Sequence, residues 1–237
     1  MTDNPYQTPS SQVDRPTGRG PGGGTGSFTI GQSLSEAWEA TIGNLGVVIG
    51  AAIVSTIIMF VSAITIIGYF VVIPVMMWGM TRFALNLMDG RADFNDIFSG
   101  FTNYGSRLGR TLLLGIVMVI LGMVGNIPYY VGMFMDSDIL MGVGWLINMA
   151  FSLFIMSRLY FAILYMVDRD LGAMESIQAS LEGTRAMWGW VILLAIVSSI
   201  IGMLGILALL VGLLVSIPVA YLMWVSAYRQ MEGGPPE

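Results

Sequence analysis

Long stretches without a charged residue alternate with short polar segments along the chain. Between Glu39 and Arg82 lie 42 uncharged residues, between Arg110 and Asp136 lie 25, and between Arg185 and Arg229 lie 43. The 29 residues between Asp138 and Asp168 carry a single charge, Arg158. A membrane-crossing helix needs about 20 mostly apolar residues. The two longest stretches therefore each hold two spans and a tight turn, near Ile67–Gly68 and near 206–210, and the shorter ones hold one each. Six spans are predicted, at about 45–66, 68–88, 110–130, 140–166, 188–207 and 209–230. The stretches are continuously apolar and do not alternate, which selects helices over a barrel.

Each pair of spans follows a segment with helical periodicity. Leu34, Trp38, Ile42 and Leu45 recur at that spacing, as do Phe94, Ile97, Phe98, Phe101 and Leu108, and then Met174, Ile177, Leu181 and Trp188. Near the start of each segment stands an acid that would face the positive end of a helix dipole: Glu36 after Ser33, Asp96 after Asp93, and Glu175 after Gly172. Ser33 with Glu36 reads as a capping box. Residues 73–90 and 217–233 are alike, with Pro74 and Pro218 in matching places as kinks that each free a carbonyl. Pro128 lies instead at the end of the third span. The expected fold is an all-α membrane protein of six transmembrane helices, built as three modules of an interfacial amphipathic helix plus a helical hairpin. It occupies residues 28–233 as one transmembrane domain. Gly46 and Gly50 form a GxxxG pattern suited to close helix packing.

Composition agrees. The chain of 237 residues is 55% hydrophobic and 11% charged, with a mean hydropathy of +0.77, whereas soluble domains carry about 25% charged residues. Residues 1–27 are rich in Pro, Gly, Ser and Thr and read as a disordered cytoplasmic tail without the apolar core of a signal peptide. Residues 234–237 form a short C-terminal tail. All ten basic residues are arginine, and the three loops on one side carry none. The positive-inside rule then places both termini in the cytoplasm and the protein, as a multi-pass chain, in a bacterial inner membrane. Trp78, Trp188, Trp190 and Trp224 fall near span ends, where indoles gather at the interface.

With no cysteine and no histidine, thiolate and imidazole metal sites and Ser-His-Asp or Cys-His nucleophiles are excluded. No metal or cofactor is expected. A net charge of −5 without a basic stripe excludes nucleic acid.

The segment 157–190, "SRLYFAILYMVDRDLGAMESIQASLEGTRAMWGW", followed by "LLVGLLVSIPVAYLMWVSAYRQMEG", resembles a broad family of uncharacterised bacterial integral membrane proteins. It is similar to the membrane domain that precedes the catalytic domain of some glycerophosphodiester phosphodiesterases. The resemblance covers about residues 30–233 and implies a fold and a membrane location. It carries over no activity, since no catalytic phosphodiesterase segment follows within these residues.

Arg158 lies ten residues before Asp168, roughly 15 Å along a helix at 1.5 Å per residue. That is half of a hydrocarbon core of about 30 Å. A guanidinium there costs about 2.5–3.5 kcal/mol. It either snorkels to phosphates, bonds carbonyls freed by Pro74 or Pro218 or tyrosine hydroxyls, or floors a lipid-headgroup site. Arg82 is the second headgroup candidate and snorkels easily. Asp168 and Asp170 are expected in a solvated loop. The leading expectation is a non-enzymatic protein that organises or regulates a membrane protein partner or the bilayer from the cytoplasmic face. The alternative is binding or transport of a lipid or small amphiphile through a cavity near Arg158, bounded by spans two, four and six.

Overall fold

The computed structural model describes residues 26–207 and 212–233. Most of the tail expected over 1–27, the turn expected near 206–210 and the tail at 234–237 thus lie outside the described residues. Among the described residues there is no strand. The chain opens with α1 (Ile30–Gly43) and a first hairpin, α2 (Leu45–Ala63) and α3 (Ile66–Met88). A 3-10 helix, Phe94–Phe101, precedes α4 (Tyr104–Phe134). The stretch Asp138–Asp168 follows as α5 (Asp138–Phe151), a π-helical segment Ser152–Met156, the short α6 (Ser157–Leu159) and α7 (Phe161–Asp168). Then come α8 (Ala173–Gly183), α9 (Trp188–Leu207) and α10 (Leu213–Glu232).

Five stretches are long and apolar enough to cross a membrane: α2, α3, α4, Asp138–Asp168 and Arg185–Ile206. The chain is therefore a helical protein compatible with multi-pass insertion. α10 is as long as α9 but ends in Arg229, Gln230 and Glu232. It packs against α9, α1, α2, α3 and α7.

Several boundaries differ from the sequence reading. The first turn lies at Ile64–Thr65, because the Thr65 hydroxyl accepts the Gly68 N–H at 3.0 Å and caps α3. α4 runs four residues beyond the expected end, with Pro128 in its interior. In the second periodic segment the helix breaks at Thr102–Asn103, where Asn103 adopts a left-handed conformation (φ 53°).

Enclosure is concentrated in α3, α7 and α10. Every residue from Phe161 to Val167 is buried, as is every residue from Leu222 to Met231. A helix apolar all round belongs in a core, and α7 is one. The 3-10 helix lies directly on α3 through two glycines. A Cβ at Gly79 would strike the Ile97 carbonyl, and one at Gly100 the Val75 carbonyl. The GxxxG pair does no such work: Gly46 has nothing within 4 Å and Gly50 faces only the Phe94 ring at 3.6 Å.

α1 turns its small residues inward. Ser33, Ala37 and Thr41, spaced four apart, are fully buried, while Trp38, Ile42 and Leu45 are exposed. Of the apolar stripe read from the sequence, Leu34 packs on the core and the rest faces away from the bundle. Small side chains allow α1 to lie close against α10, and the larger ones are left for an apolar surround.

Candidate functional site

The arginine-rich end of the bundle is closed by a polar clasp. α3, α7 and α10 all end there, and Asp89, Asp168 and Arg229 stand in their last turns or just beyond. The Arg229 guanidinium donates to Asp168 Oδ2 and to Asp89 Oδ2, both at 2.8 Å. The three side chains are 10%, 6% and 3% exposed, respectively. The Tyr228 hydroxyl also donates to Asp168, at 2.7 Å, and Arg91 reaches Asp89 from outside. Beside the clasp, Glu232 accepts from Tyr165 and pairs with Arg169. Asp168 is therefore no solvated loop residue, because three helix ends converge over it. Asp170, left-handed at φ 53°, is exposed and pairs with Arg110 at 2.7 Å.

A second network fastens α1. The Gln230 side chain accepts the Thr29 N–H at 3.0 Å and donates to Ser33 at 3.1 Å and Ser226 at 3.0 Å. Ser226 in turn donates to Glu36. The expected capping box therefore does not form: Thr29 takes the N-cap position, and Ser33 and Glu36 lie inside α1 facing α10. Asp93 is the N-cap of the 3-10 helix and accepts the Asn95 N–H at 2.9 Å. Asp96 accepts from Asn86 at 2.8 Å, and Glu175 accepts the Gly172 N–H at 3.0 Å.

Arg158 is turned toward α8. Its Nη2 donates to the Leu181 carbonyl at 2.6 Å and its Nε to the Thr184 hydroxyl at 3.0 Å. Ser180 donates back to the Arg158 carbonyl, and the guanidinium lies 5.6 Å from the Phe154 ring centroid. The cation sits at the C-terminal end of α8, where the helix dipole is negative and last-turn carbonyls lack partners. It bonds neither a proline-freed carbonyl nor a tyrosine. Arg82 is exposed and makes no ion pair or hydrogen bond with a described residue. Replacing Arg158 by leucine is expected to lower stability by about 1.5–3 kcal/mol, the worth of hydrogen bonds to a charged group. Arg82→Leu should have no measurable effect. Equal melting of the two variants in detergent would overturn this assignment.

The indoles divide. Trp188 and Trp190 are exposed, whereas Trp78 and Trp224 are buried. Trp78 lies under the Arg107 guanidinium at 5.3 Å, and Trp224 donates to Ser198 at 3.0 Å.

Above the clasp the helices separate into a cleft of about 1460 Å³. α2, α3, α4, the π-helical segment, α6, α9 and α10 all contribute walls, and Pro74 and Pro218 both line it. Along α3 it runs from Tyr69 to Leu87, about 27 Å at 1.5 Å per residue. Tyr160, Tyr221 and Trp224 form an aromatic cluster in its wall, with Tyr160 and Trp224 ring centroids 4.5 Å apart. Beneath them Tyr165 and Tyr228 meet edge-to-face at 4.9 Å. α3, the Asp138–Asp168 stretch and α10 do bound a cavity, but Arg158 and Arg82 are absent from its lining. Helical spacing accounts for this. Met156, Tyr160 and Ile163, with Ser157 beside Met156, recur every three or four residues and face the cleft, whereas Arg158 lies on another side of the same helix and faces α8.

The clasp and the Gln230 network were missed from the sequence. The only signal was a carboxylate at the end of α3, α7 and α10 with Arg229 one turn before the last of them.

No family model matches the chain. It is 35% identical over 74 residues to uncharacterised proteins of Mycobacterium tuberculosis and Mycobacterium bovis. The match covers 31% of this chain and 23% of each relative, so the chain spans about a quarter of the length of these relatives. No solved structure matches.

Proposed function

We propose that this chain is a non-enzymatic six-span protein of a bacterial inner membrane that binds a lipid or small amphiphile in its intramembrane cleft. The observation that carries the proposal is the cleft itself, about 1460 Å³ and walled almost wholly by apolar side chains. Binding sites for drug-sized ligands run to about 300–1,000 Å³ and are mostly apolar, so this one has room for a flexible chain. The clasp seals one end, and the ligand enters from the bilayer between helices. Treating α10 as the sixth span fits its length and its place among the others. The arginines at the clasp end, with none in the opposite loops, favour a cytoplasmic clasp and both termini inside. The order of a short helix before each hairpin fits three copies of one module, and likeness to the membrane domain of phosphodiesterases is part of the same reading. Organising a partner protein is the second role, favoured by the exposed Trp38 and Ile42 of α1.

Gly115 lines the cleft, and a Cβ there meets nothing within 4 Å. Gly115→Phe therefore places a ring at the cleft from an unobstructed Cβ. Native mass spectrometry of protein released from lipid nanodiscs should find retained lipid on the wild type and at least tenfold less on Gly115→Phe at unchanged thermal stability. Equal retention by the two would refute the proposal.

A further inference from the structure

We infer that the ligand of the cleft carries an uncharged head with a hydroxyl or carbonyl oxygen, and that the Tyr160 hydroxyl is its hydrogen-bond partner. This rests on the reading of the cleft as a lipid or amphiphile site. No arginine, aspartate or glutamate lines the cleft; its polar side chains are hydroxyls and one indole. Most are already committed. The Thr111, Ser157, Ser198 and Ser199 hydroxyls each donate to a carbonyl of their own helix. Thr81 donates to the Met77 carbonyl at 2.8 Å, so in the 2.9 Å contact with Tyr221 the Tyr221 hydroxyl is the donor. The Trp224 N–H is taken by Ser198.

Tyr160 differs. Its ring is clamped by Tyr221 and Trp224, yet no described residue offers its hydroxyl a hydrogen bond. Thr56, Ser152 and Tyr69 also line the cleft with hydroxyls that no described residue bonds, but none of them is held between two aromatic rings; Tyr69 is in the first turn of α3 at the opposite end and 54% exposed, against 39% for Tyr160. Tyr160 lies eight residues before Asp168, about 12 Å in from the clasp at 1.5 Å per residue. That depth is well inside a hydrocarbon core of about 30 Å. An unmatched hydroxyl there favours a partner oxygen, whereas a charge there has no counter-ion and would lose its hydration. The arginines nearest the cleft do not line it: Arg158 is bound to α8, Arg229 is bound in the clasp, and Arg82 is exposed outside the lining.

The test compares two probes with identical chains, dioleoylglycerol and dioleoylphosphatidylglycerol, titrated onto delipidated protein in detergent and read by native mass spectrometry. Dioleoylglycerol is expected to bind at least thirtyfold more tightly. Tyr160→Phe, which keeps the ring, should weaken it three- to tenfold, with Tyr69→Phe unchanged. Thermal midpoints of both variants control for folding. Tighter binding of the anionic lipid, or equal dioleoylglycerol affinity for wild type and Tyr160→Phe, would overturn the inference while leaving the cleft site standing. If neither probe binds, or Gly115→Phe binds both as well as wild type, the cleft reading itself fails.

Discussion

Arg229→Met is expected to destabilise the bundle by about 3 kcal/mol, the lower end of the 3–5 kcal/mol seen when one member of a buried ion pair is removed. Among the described residues the guanidinium is the only charge bridging Asp89 and Asp168, whose side chains are 3% and 6% exposed. Without it two carboxylates are left facing each other in a site that water barely reaches. The lower end applies because each acid keeps one donor, Arg91 for Asp89 and the Tyr228 hydroxyl for Asp168. Methionine conserves the packing, so the loss reports charge and not a cavity. Adding Asp89→Asn and Asp168→Asn to Arg229→Met should recover at least half of the loss, because exchanging a whole buried ionic group is often near neutral. Unfolding in mixed micelles titrated with dodecyl sulfate, followed by tryptophan fluorescence, measures both. A single variant as stable as wild type would mean that the clasp is solvated.

Gly79→Leu should cost about 3 kcal/mol, the upper end for overpacking. A Cβ at Gly79 meets the carbonyl and Cα of Ile97, and a backbone cannot step aside as a side-chain tip can. The whole 3-10 helix Phe94–Phe101 must lift off α3, which also strips its contact at Gly100. The informative control is Gly46→Ala. Gly46 has open space around its Cα, so alanine should leave stability unchanged or raise it by up to about 1 kcal/mol through helix propensity. The same micelle titration reads both variants. A destabilising Gly46→Ala beside a neutral Gly79→Leu would reverse the packing assignment.

These two cases show how legibility divides. Gly46 and Gly50 carry the motif that sequence associates with close packing, and Gly79 and Gly100 carry no motif at all. Spacing within one helix gives the direction in which a residue points, but what stands opposite belongs to another element. α1 makes the same point. Its period of Leu34, Trp38, Ile42 and Leu45 correctly marks a helix, yet the buried face is Ser33, Ala37 and Thr41. In an apolar surround hydrophobicity no longer separates inside from outside, and small size decides which face packs.

Arg158 was legible as an anomaly but not as a contact. One charge in the 29 residues between Asp138 and Asp168 demands a partner. That partner is the far end of α8, which only the reversal of the chain after Asp168 brings within 2.6 Å. Arg158 and Tyr160 stand two residues apart and face different sides of one helix, and only the packing of that helix decides which of them meets the cleft.

The amino-acid sequence by itself determined the helical class, five apolar stretches able to cross a membrane and the places of the arginines between them. These follow from composition and local period, because a backbone in hydrocarbon must satisfy its own hydrogen bonds. The tertiary structure alone decided that Asp89, Asp168 and Arg229 form one buried group, that Gln230 holds α1, and that a charge-free cleft opens above them. Each depends on residues more than 60 positions apart meeting, and no local pattern encodes that meeting.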